Sequence, residues 1–363
     1  MSLDGNAIVY CEGAFNTPNG KTAHGLVRFT RRYRILAVVD SSCAGQDAGE
    51  ILDETPRGIP VHGSVHSAVE AFNHSATPAS HLVVGLAPDG GRLAPADRQH
   101  ILEAIDCGLH VDAGLHDFLS DDPQLNQAAH RAGTRIRDIR KPPAKDHLHF
   151  FTGKISEVKA FKVAVLGTDS AVGKRTTAWI LVQGLQEAGI RAAFVGTGQT
   201  AWLQGARHGI ILDSLVNDFV SGEIEHAVWK AWIEDRPDII IIEGQGSLMN
   251  PAYPGGFEIL AAARPDAILL QHAPARREYD GFPGYAIHPL PRQIRAIEIL
   301  SGKSVGAITL NHQGLASHDI PLILTTLSRT LGLPAFDVLQ HGPEGLAKWV
   351  MAQEDDPEKR RQP

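Results

Sequence analysis

The chain has 363 residues, a hydrophobic fraction of 43%, a charged fraction of 21% and a formal net charge of −7 at pH 7. These values are typical of a globular protein that is long enough for two domains, and they disfavour a disordered chain. A negative net charge opposes non-specific binding of nucleic acid, and no apolar run is long enough to span a bilayer. We therefore expect no nucleic-acid partner and no membrane partner.

The cysteines and the first residues of the chain indicate a cytoplasmic protein. Cys11, Cys43 and Cys107 are widely separated, and no Cys-x-x-Cys pair occurs. This pattern favours a reducing compartment and neither a disulfide framework nor a zinc site. The polar residues 1–5 are unlike a signal peptide. Eighteen histidines are scattered along the sequence without a ligand spacing, so we assign no metal site to them.

The first 145 residues alternate between strand-like and helix-like runs. Strands are predicted at 7–10, 35–39, 81–85 and 110–114, and helices at 21–30 and 95–107. Repeated βα units predict a parallel, Rossmann-like sheet. The Gly-x-Gly-x-x-Gly fingerprint of dinucleotide sites does not follow the first strand. Asp40 is either a ligand for a ribose hydroxyl or a turn-forming residue. The end of a phosphate loop, Gly-Lys-Thr, is resembled by Asn19-Gly20-Lys21-Thr22, but no strand directly precedes this sequence.

A basic, proline-containing segment at 134–145 is interpreted as the connection between two domains. The predicted organisation is therefore a Rossmann-like domain at 1–145 and a second α/β domain at 146–353. The residues 354–363 are charged and lack apolar anchors, and they are expected to form a mobile tail.

The strongest signal is the sequence Lys-Val-Ala-Val-Leu-Gly-Thr-Asp-Ser-Ala-Val-Gly-Lys-Arg-Thr-Thr at 162–177. An apolar strand, a glycine-bounded loop and a helix opening at Lys174 are the parts of a phosphate-binding loop. Two features depart from the usual pattern. Five residues separate the two glycines instead of four, and Arg175 stands where a magnesium-ligating Ser or Thr normally follows the lysine. The predicted cofactor-binding residues are Gly167, Thr168, Asp169, Ser170, Ala171, Val172, Gly173, Lys174, Arg175, Thr176 and Thr177.

The second half continues as a parallel, doubly wound sheet. A helix is predicted from 174 to about 187, a strand at 191–195 that runs into a glycine-rich loop with Gln199, and a long helical region at 214–234. Four consecutive isoleucines at 239–242 predict a central strand buried on both faces. Further strands are predicted at 266–270, 305–310 and 334–339.

Polar residues at the ends of these strands are candidates for chemistry. Glu243 follows the four isoleucines, where nucleotide enzymes place a metal-binding or water-orienting carboxylate. His272 and His312 each follow a strand, and either of them, or Glu243, could act as a general base. Arg276 and Arg277 could hold carboxylates or phosphates.

The loop at 167–174 resembles that of dethiobiotin synthetase and its relatives, which share the five-residue gap. The resemblance extends to Glu243-Gly244 and to Asn311, a position that contacts adenine in those enzymes. Over nearly its full length, with Gly-Lys-Arg-Thr-Thr in the loop, the chain resembles the D-glutamate N-acetyltransferase (DgcN) family. That resemblance implies a P-loop NTPase-like second domain and transfer of acetyl from acetyl-CoA to the amine of an acidic amino acid. Gln199, Arg276 and Arg277 would then bind the acceptor.

Two other functions stay open on the sequence. An ATP-dependent ligase or kinase would organise Mg²⁺ with Thr176, Asp213 and Glu243, but Thr176 lies one residue late, about 100° further around the helix. A nucleotide-binding protein without turnover is the second alternative. Under all three functions we expect a homo-oligomer. Arg175 favours a phosphorylated cofactor over metal-dependent ATP turnover, because a fixed guanidinium can neutralise phosphate.

Overall fold

The computed structural model describes residues 3–355, which form two compact units. The first unit contains the chain up to Pro142 together with Gln199–Ala206, and the second contains Pro143–Gly198 and the chain from Arg207 onward. Nothing in the sequence indicated that the segment Gln199–Ala206 belongs with the first unit.

The first unit contains a six-stranded sheet in the order β3-β2-β1-β4-β5-β6, and every neighbouring pair is parallel. Helices α1 to α5 connect these strands. The strands are β1 Gly5–Tyr10, β2 Tyr33–Val39, β3 Val61–His62, β4 His81–Val84, β5 His110–Ala113 and β6 Ile136–Asp138, and the helices are α1 Lys21–Arg28, α2 Ala48–Asp53, α3 Val65–Phe72, α4 Pro95–Asp106 and α5 Pro123–Ala132.

Helix α5 shows how the local sequence sets these boundaries. The side chain of Asp122 accepts hydrogen bonds from the N–H groups of Gln124 and Leu125, and Pro123 occupies the first helical position. A proline is tolerated there because its missing N–H would have had no partner inside the helix. Gly133 ends the helix with φ of 67°, a left-handed conformation that glycine adopts without steric cost.

In this unit the loops that follow β1, β2 and β4 bond to themselves and to each other. Asp40 is fully buried, and its carboxylate accepts from the N–H groups of Phe15 and Ser42 at 2.7 Å and 2.8 Å. The N–H of Ala87 donates to the carbonyl of Asn19 at 2.7 Å. Asp40 therefore has the turn-forming role that the sequence left open beside ribose binding.

The second unit contains a seven-stranded, all-parallel sheet in the order β13-β12-β11-β7-β10-β8-β9. The central strand β7 lies between β11 and β10, so its carboxyl end is flanked by the ends of both. The predicted α/β fold, with a parallel Rossmann-like sheet and a doubly wound P-loop sheet, is confirmed. The strands are β7 Phe161–Gly167, β8 Ala192–Gly196, β9 His208–Gly209, β10 Ile239–Glu243, β11 Ala267–His272, β12 Val305–Leu310 and β13 Ala335–Phe336.

The remaining helices follow in chain order, and α7 is the one that belongs to the first unit. Among residues 3–355, no helix combines the length and the apolar character that a membrane crossing requires. The helices are α6 Lys174–Glu187, α7 Gln199–Leu203, α8 Asn217–Asp235, α9 Phe257–Ala263, α10 Leu290–Ser301, α11 Ile320–Leu331, α12 Val338–His341 and α13 Glu344–Glu354.

The four isoleucines of β10 are fully buried, as their uninterrupted apolar run predicted. Ile240 and Ile242 belong to the same buried cluster as Ala164 and Leu166 of the neighbouring strand β7. Burial of each isoleucine side chain contributes about 1.5–3 kcal/mol to folding. The centre of the sheet is therefore a rigid base for the loops that leave β7 and β10.

Three predicted segments differ from the structure. The strand predicted at 334–339 is only Ala335–Phe336. It ends there because the Asp337 side chain accepts hydrogen bonds from the first N–H groups of the helix α12 that follows. The connection predicted at 134–145 includes the edge strand β6, whose Arg137 forms an ion pair with Asp112. Of the tail predicted at 354–363, Glu354 ends α13, and residues 356–363 lie outside the described residues.

Candidate phosphate site and strand-end residues

Three neighbouring strands of the second unit end at the phosphate loop. In the sheet register, Glu243 at the end of β10 pairs with Val165 of β7, and Gln271 of β11 pairs with Gly167. The loop of residues 168–173 continues from β7 and leads into α6. The parallel arrangement thus brings Glu243, Gln271 and the loop to one edge of the sheet, where ligands bind in such folds.

Two glycines at this edge leave no room for a side chain. A Cβ on Gly167 would lie 2.8 Å from Cδ of Lys174 and 2.9 Å from Cγ2 of Val172. A Cβ on Gly244 would overlap the carbonyl oxygen of Val165. Glycine is therefore required for the close approach of backbone and lysine stem that the phosphate-loop pattern predicts.

The loop turns into α6 through left-handed backbone. Gly173 precedes the helix with φ of 99°, and Ala171 has φ of 50°, a conformation that costs a non-glycine residue about 1–2 kcal/mol. Since the N-cap residue Gly173 has no side chain, it forms no capping bond with the first turn of α6. The first N–H groups of this 14-residue helix are thus suited to an anion.

Lys174 is buried, and its ammonium group points at backbone oxygens. Nζ donates to the carbonyl of Asp169 at 2.8 Å and to the carbonyl of Gly246 at 2.7 Å. Burial lowers the pKa of Lys174 to about 8, although the charges of Asp169 and Glu243 oppose that shift. The cation is therefore held inside the loop by neutral acceptors that a phosphate oxygen could replace.

Asp169 is the residue that holds the loop together. Its carboxylate is fully buried and accepts four hydrogen bonds. The donors are Ser170 N at 2.7 Å, Asn250 Nδ2 at 2.6 Å, Arg276 Nη1 at 2.9 Å and Asp280 N at 2.8 Å. These four bonds bring three separate segments of the unit together around one carboxylate.

The two neighbouring arginines have different environments. Arg276 pairs with Asp169 and also donates to the loop carbonyls of Ser170 at 2.6 Å and Ala171 at 3.4 Å. Arg277 is exposed. Of the pair that was predicted to bind the acceptor, the structure thus brings Arg276 into the phosphate loop.

Glu243 is 5% exposed, and its carboxylate accepts from the N–H of Thr197 at 2.8 Å. Burial raises the pKa of Glu243, while the positive charges of Arg175 and Lys174 act in the opposite direction. Asp169 and Glu243 are therefore each close to the positive charge of a guanidinium.

Neutral side chains complete the wall on the β11 and β12 side. The amide of Asn311 donates to the carbonyl of Val172 at 2.9 Å. The Gln271 Oε1 atom accepts from the hydroxyls of Thr177 at 2.7 Å and Thr309 at 2.5 Å. The Thr177 hydroxyl is thus bonded to the strand-end residue Gln271, and Asn311 contacts the loop. The expected contact of Asn311 with adenine stays a prediction.

The two candidate histidines differ in their partners. Nδ1 of His272 lies 3.1 Å from the hydroxyl of Thr168, and burial lowers the pKa of His272 to about 4. Nδ1 of His312 lies 2.6 Å from a carboxylate oxygen of Asp337, whose side chain is fully buried. His272 is therefore neutral near pH 7, and His312 has an acidic partner.

The remaining predicted residues are distributed over both units. Thr176 is half-buried in the first turn of α6, and Asp213 is exposed in the turn Leu212–Ser214. Gln199 begins α7 in the first unit, where its side chain faces Gly114. Within residues 3–355, no group of three His, Cys, Asp or Glu side chains has the arrangement of a metal site.

Sequence reasoning missed several residues of this site. Asn250 and Asp280 bind Asp169, Gly246 binds Lys174, and Asp337 binds His312. None has a motif or a fixed spacing from the loop. The two glycines after the isoleucine strand were the one available signal. Gly244 packs against the end of β7 and the stem of Lys174, and the carbonyl of Gly246 accepts from the Lys174 ammonium group.

Comparison with known families places this geometry in context. The model described as "Domain of unknown function (DUF1611_N) Rossmann-like domain" matches residues 41–142. The model described as "Domain of unknown function (DUF1611_C) P-loop domain" matches residues 149–347, which is more than half of the chain. The chain belongs to the DUF1611 family.

Two relatives with a named activity match about three quarters of this chain. A D-glutamate N-acetyltransferase of Tritonibacter scottomollicae is 30% identical over 271 residues, 73% of this chain and 79% of the relative. A D-glutamate N-acetyltransferase of Pseudoalteromonas sp is 31% identical over 275 residues, 74% of this chain and 80% of the relative. The predicted resemblance to D-glutamate N-acetyltransferases is thus confirmed.

A solved structure of the same family supports the fold. The crystal structure of a DUF1611 family protein from Anabaena variabilis ATCC 29413 is similar to this chain with a TM-score of 0.87 and 30% identity. The match covers 96% of this chain and 99% of that chain. The fold is therefore shared over nearly the whole length of both proteins.

Proposed function

We propose that this protein transfers the acetyl group of acetyl-CoA to the amine of an acidic amino acid such as D-glutamate. The observation that carries the proposal is the 30–31% identity to two D-glutamate N-acetyltransferases over about four fifths of their length. The phosphate loop supports acetyl-CoA as the donor, because CoA contains a diphosphate and a 3′-phosphate that such a loop can bind without hydrolysing them.

The loop has the donors that these phosphates need. Lys174 supplies a buried ammonium group, and the first turn of α6 supplies N–H groups at the positive end of the helix. Arg276 already donates to the carbonyls of Ser170 and Ala171, so its guanidinium lies at the same loop. A guanidinium is well matched to phosphate oxygens because its planar donors can bind two of them at once.

The arginines also support binding without a metal ion. Asp169 forms an ion pair with Arg276 at 2.9 Å, and Arg175 is the charge that most strongly opposes the raised pKa of Glu243. In a magnesium-dependent site these carboxylates would instead face the ion. The arrangement favours a phosphorylated cosubstrate whose charge is balanced by Lys174, Arg175 and Arg276.

The reaction forms a carbon–nitrogen bond and breaks the carbon–sulfur bond of the thioester. The acceptor's ammonium group must first become an amine, since the protonated nitrogen has no lone pair for attack. The acceptor's carboxylates need cations that the phosphate loop does not already use. Arg277 is exposed, and we assign it to the acceptor.

Binding can be tested by isothermal titration calorimetry with acetyl-CoA, CoA and ATP, each in excess EDTA and in excess Mg²⁺. We expect acetyl-CoA and CoA to bind equally well in both media, because guanidinium groups take the place of the ion. Tight binding of ATP that requires Mg²⁺, followed by release of ADP when an acidic amino acid is added, would instead support the ligase or kinase.

Turnover can be tested by mixing the protein with acetyl-CoA and D-glutamate and following free thiol. We expect thiol release at a rate that depends on both substrates. Arg277→Ala should raise KM for the amino acid about tenfold, the usual loss for one charge-assisted hydrogen bond, and leave KM for acetyl-CoA unchanged. No thiol release with acidic amino acids of either configuration would reject acetyl transfer.

A further inference from the structure

His312 and Asp337 form a pair at the edge of the sheet that contains the phosphate loop. Asn311, directly before His312, donates to Val172 of the loop at 2.9 Å. Asp337 directly follows β13, and β13 is bonded to β12 with Thr309 opposite Phe336. The two residues are therefore held by the ends of adjacent strands, next to the loop.

The hydrogen bond between them fixes which nitrogen of His312 carries the proton. Nδ1 of His312 lies 2.6 Å from Oδ2 of Asp337. An ionised carboxylate can only accept a hydrogen bond, so Nδ1 must donate its hydrogen. In the neutral ring this leaves the lone pair on Nε2, which is the atom that could take a proton from a substrate.

Asp337 is itself fixed in place. Its side chain is fully buried, and its other oxygen accepts from the N–H groups of Leu339 at 3.1 Å and Gln340 at 3.2 Å. The carboxylate therefore cannot turn away without uncapping α12. His312, in contrast, is 36% exposed, so its ring can meet a substrate.

The other candidate bases are less suitable. Glu243 is 5% exposed and bonded to Thr197 N, which leaves little access for an amine. His272 bonds to Thr168 of the loop through Nδ1, and burial holds its pKa at about 4, so it is a weak base. A half-exposed histidine with a buried carboxylate behind it is the arrangement by which enzymes orient a general base and stabilise the imidazolium that forms.

We propose that His312 is the general base of the acetyl transfer and that Asp337 is its positioning residue, an inference that rests on the proposed function. The ammonium group of the acceptor first loses one proton to solvent. As the nitrogen attacks the thioester carbon, Nε2 of His312 takes a second proton from it. The carbon–sulfur bond then breaks, and the sulfur leaves as a thiolate that takes the proton back from His312. The products are the amide, the CoA thiol and one proton in solvent.

The test measures kcat and KM by thiol release for wild type, His312→Ala, Asp337→Asn and the control His318→Ala. His318 is 84% exposed in the next turn and should tolerate the change. We expect His312→Ala to lower kcat about 10²- to 10⁴-fold, the usual contribution of a general base, with KM for acetyl-CoA unchanged. Added imidazole should restore part of the lost rate.

Asp337→Asn separates positioning from capping. The amide oxygen can still accept from Leu339 and Gln340, but an amide cannot hold the Nδ1–H form of His312 as a carboxylate does. We expect kcat to fall about tenfold or more at unchanged thermal stability. A normal kcat in His312→Ala would overturn the base, and a normal kcat in Asp337→Asn would overturn its positioning. A wild type that is inert toward every acidic amino acid would overturn the proposed function and the base together.

Discussion

The two sheets of this protein have the same architecture but different polar groups at their strand ends. In the first unit, the carboxylate of Asp40, directly after β2, accepts hydrogen bonds from the backbone N–H groups of Phe15 and Ser42. In the second unit, Asp169 after β7 also binds N–H groups, but it pairs in addition with the charged Arg276. The first arrangement closes a turn, and the second builds a charged loop.

The lysines at the two edges differ in the same way. Lys21 follows a glycine in the first unit and is exposed at the start of α1. Lys174 also follows a glycine but is buried, with its ammonium group on two loop carbonyls. The same Gly-Lys sequence at a helix start therefore gives an exposed lysine in one unit and a lysine enclosed by loop backbone in the other.

The largest expected difference between the two sheets is in the loss of stability when the buried aspartate is changed to asparagine. The variants to compare are Asp169→Asn in the second unit and Asp40→Asn in the first. Asp169→Asn removes the counter-charge of Arg276, and loss of one partner from a buried ion pair costs about 3–5 kcal/mol. Asp40→Asn keeps one of the two accepting oxygens and leaves the N–H of either Phe15 or Ser42 without an acceptor, so it should cost about 1–3 kcal/mol. Denaturant unfolding at pH 7 measures both values.

The double variant Asp169→Asn/Arg276→Gln sharpens this comparison. The double variant has no unpaired guanidinium at the loop. Its loss in free energy of unfolding should therefore be smaller than the sum of the losses of the two single variants. Strict additivity, or equal losses for the Asp169 and Asp40 variants, would mean that the charge at the loop does not distinguish the two edges.

The next effect is on cosubstrate binding, with Lys174→Ala and Lys21→Ala as the pair. Loss of Lys174 removes a charged donor from the loop and should weaken acetyl-CoA binding about 10- to 100-fold, or about 1.5–3 kcal/mol. Lys21→Ala should leave the affinity unchanged. Calorimetric titration gives both constants, and an affinity loss in the Lys21 variant would contradict the assignment of the site to the second sheet.

The smallest effect is a pH dependence that only a buried lysine produces. In the folded protein the pKa of Lys174 is about 8, below the value of 10.5 for a free lysine. Between these values the unfolded chain binds more protons, so this group's contribution to stability rises as pH increases from about 8 to 10.5. Phosphate binding needs the charged form, so affinity for acetyl-CoA should fall by up to about tenfold per pH unit above pH 8.

Titration at pH 7.5, 8.5 and 9.5 measures this loss, and acetyl-CoA is the right probe because it has no free thiol to titrate. Lys174→Arg is the control. Its guanidinium stays charged throughout this range, so the affinity of this variant should not change with pH. A wild-type affinity that is equally independent of pH would show that Lys174 is charged across the range.

Much of the fold was predictable because it depends on short-range patterns. The four isoleucines before Glu243 could only be a strand buried on both faces, and the structure confirms it. The strand at 334–339 was predicted too long, since the sequence did not show that Asp337 would cap a helix. The edge strand β6 was missed because its charged Arg137 resembles a linker residue, while its partner Asp112 lies 25 positions earlier.

The sequence by itself determined the two parallel sheets, the phosphate loop and the acidic strand end at Glu243. These features depend on residues that are close in the chain, so apolar runs and glycine positions are sufficient. Only the tertiary structure decided that Arg276 belongs to the loop and that Asp337 holds His312. Those contacts join positions up to 107 residues apart, and they form because parallel strands bring distant chain segments to one edge. The charge balance of the site therefore follows from strand order and register, which no local pattern encodes.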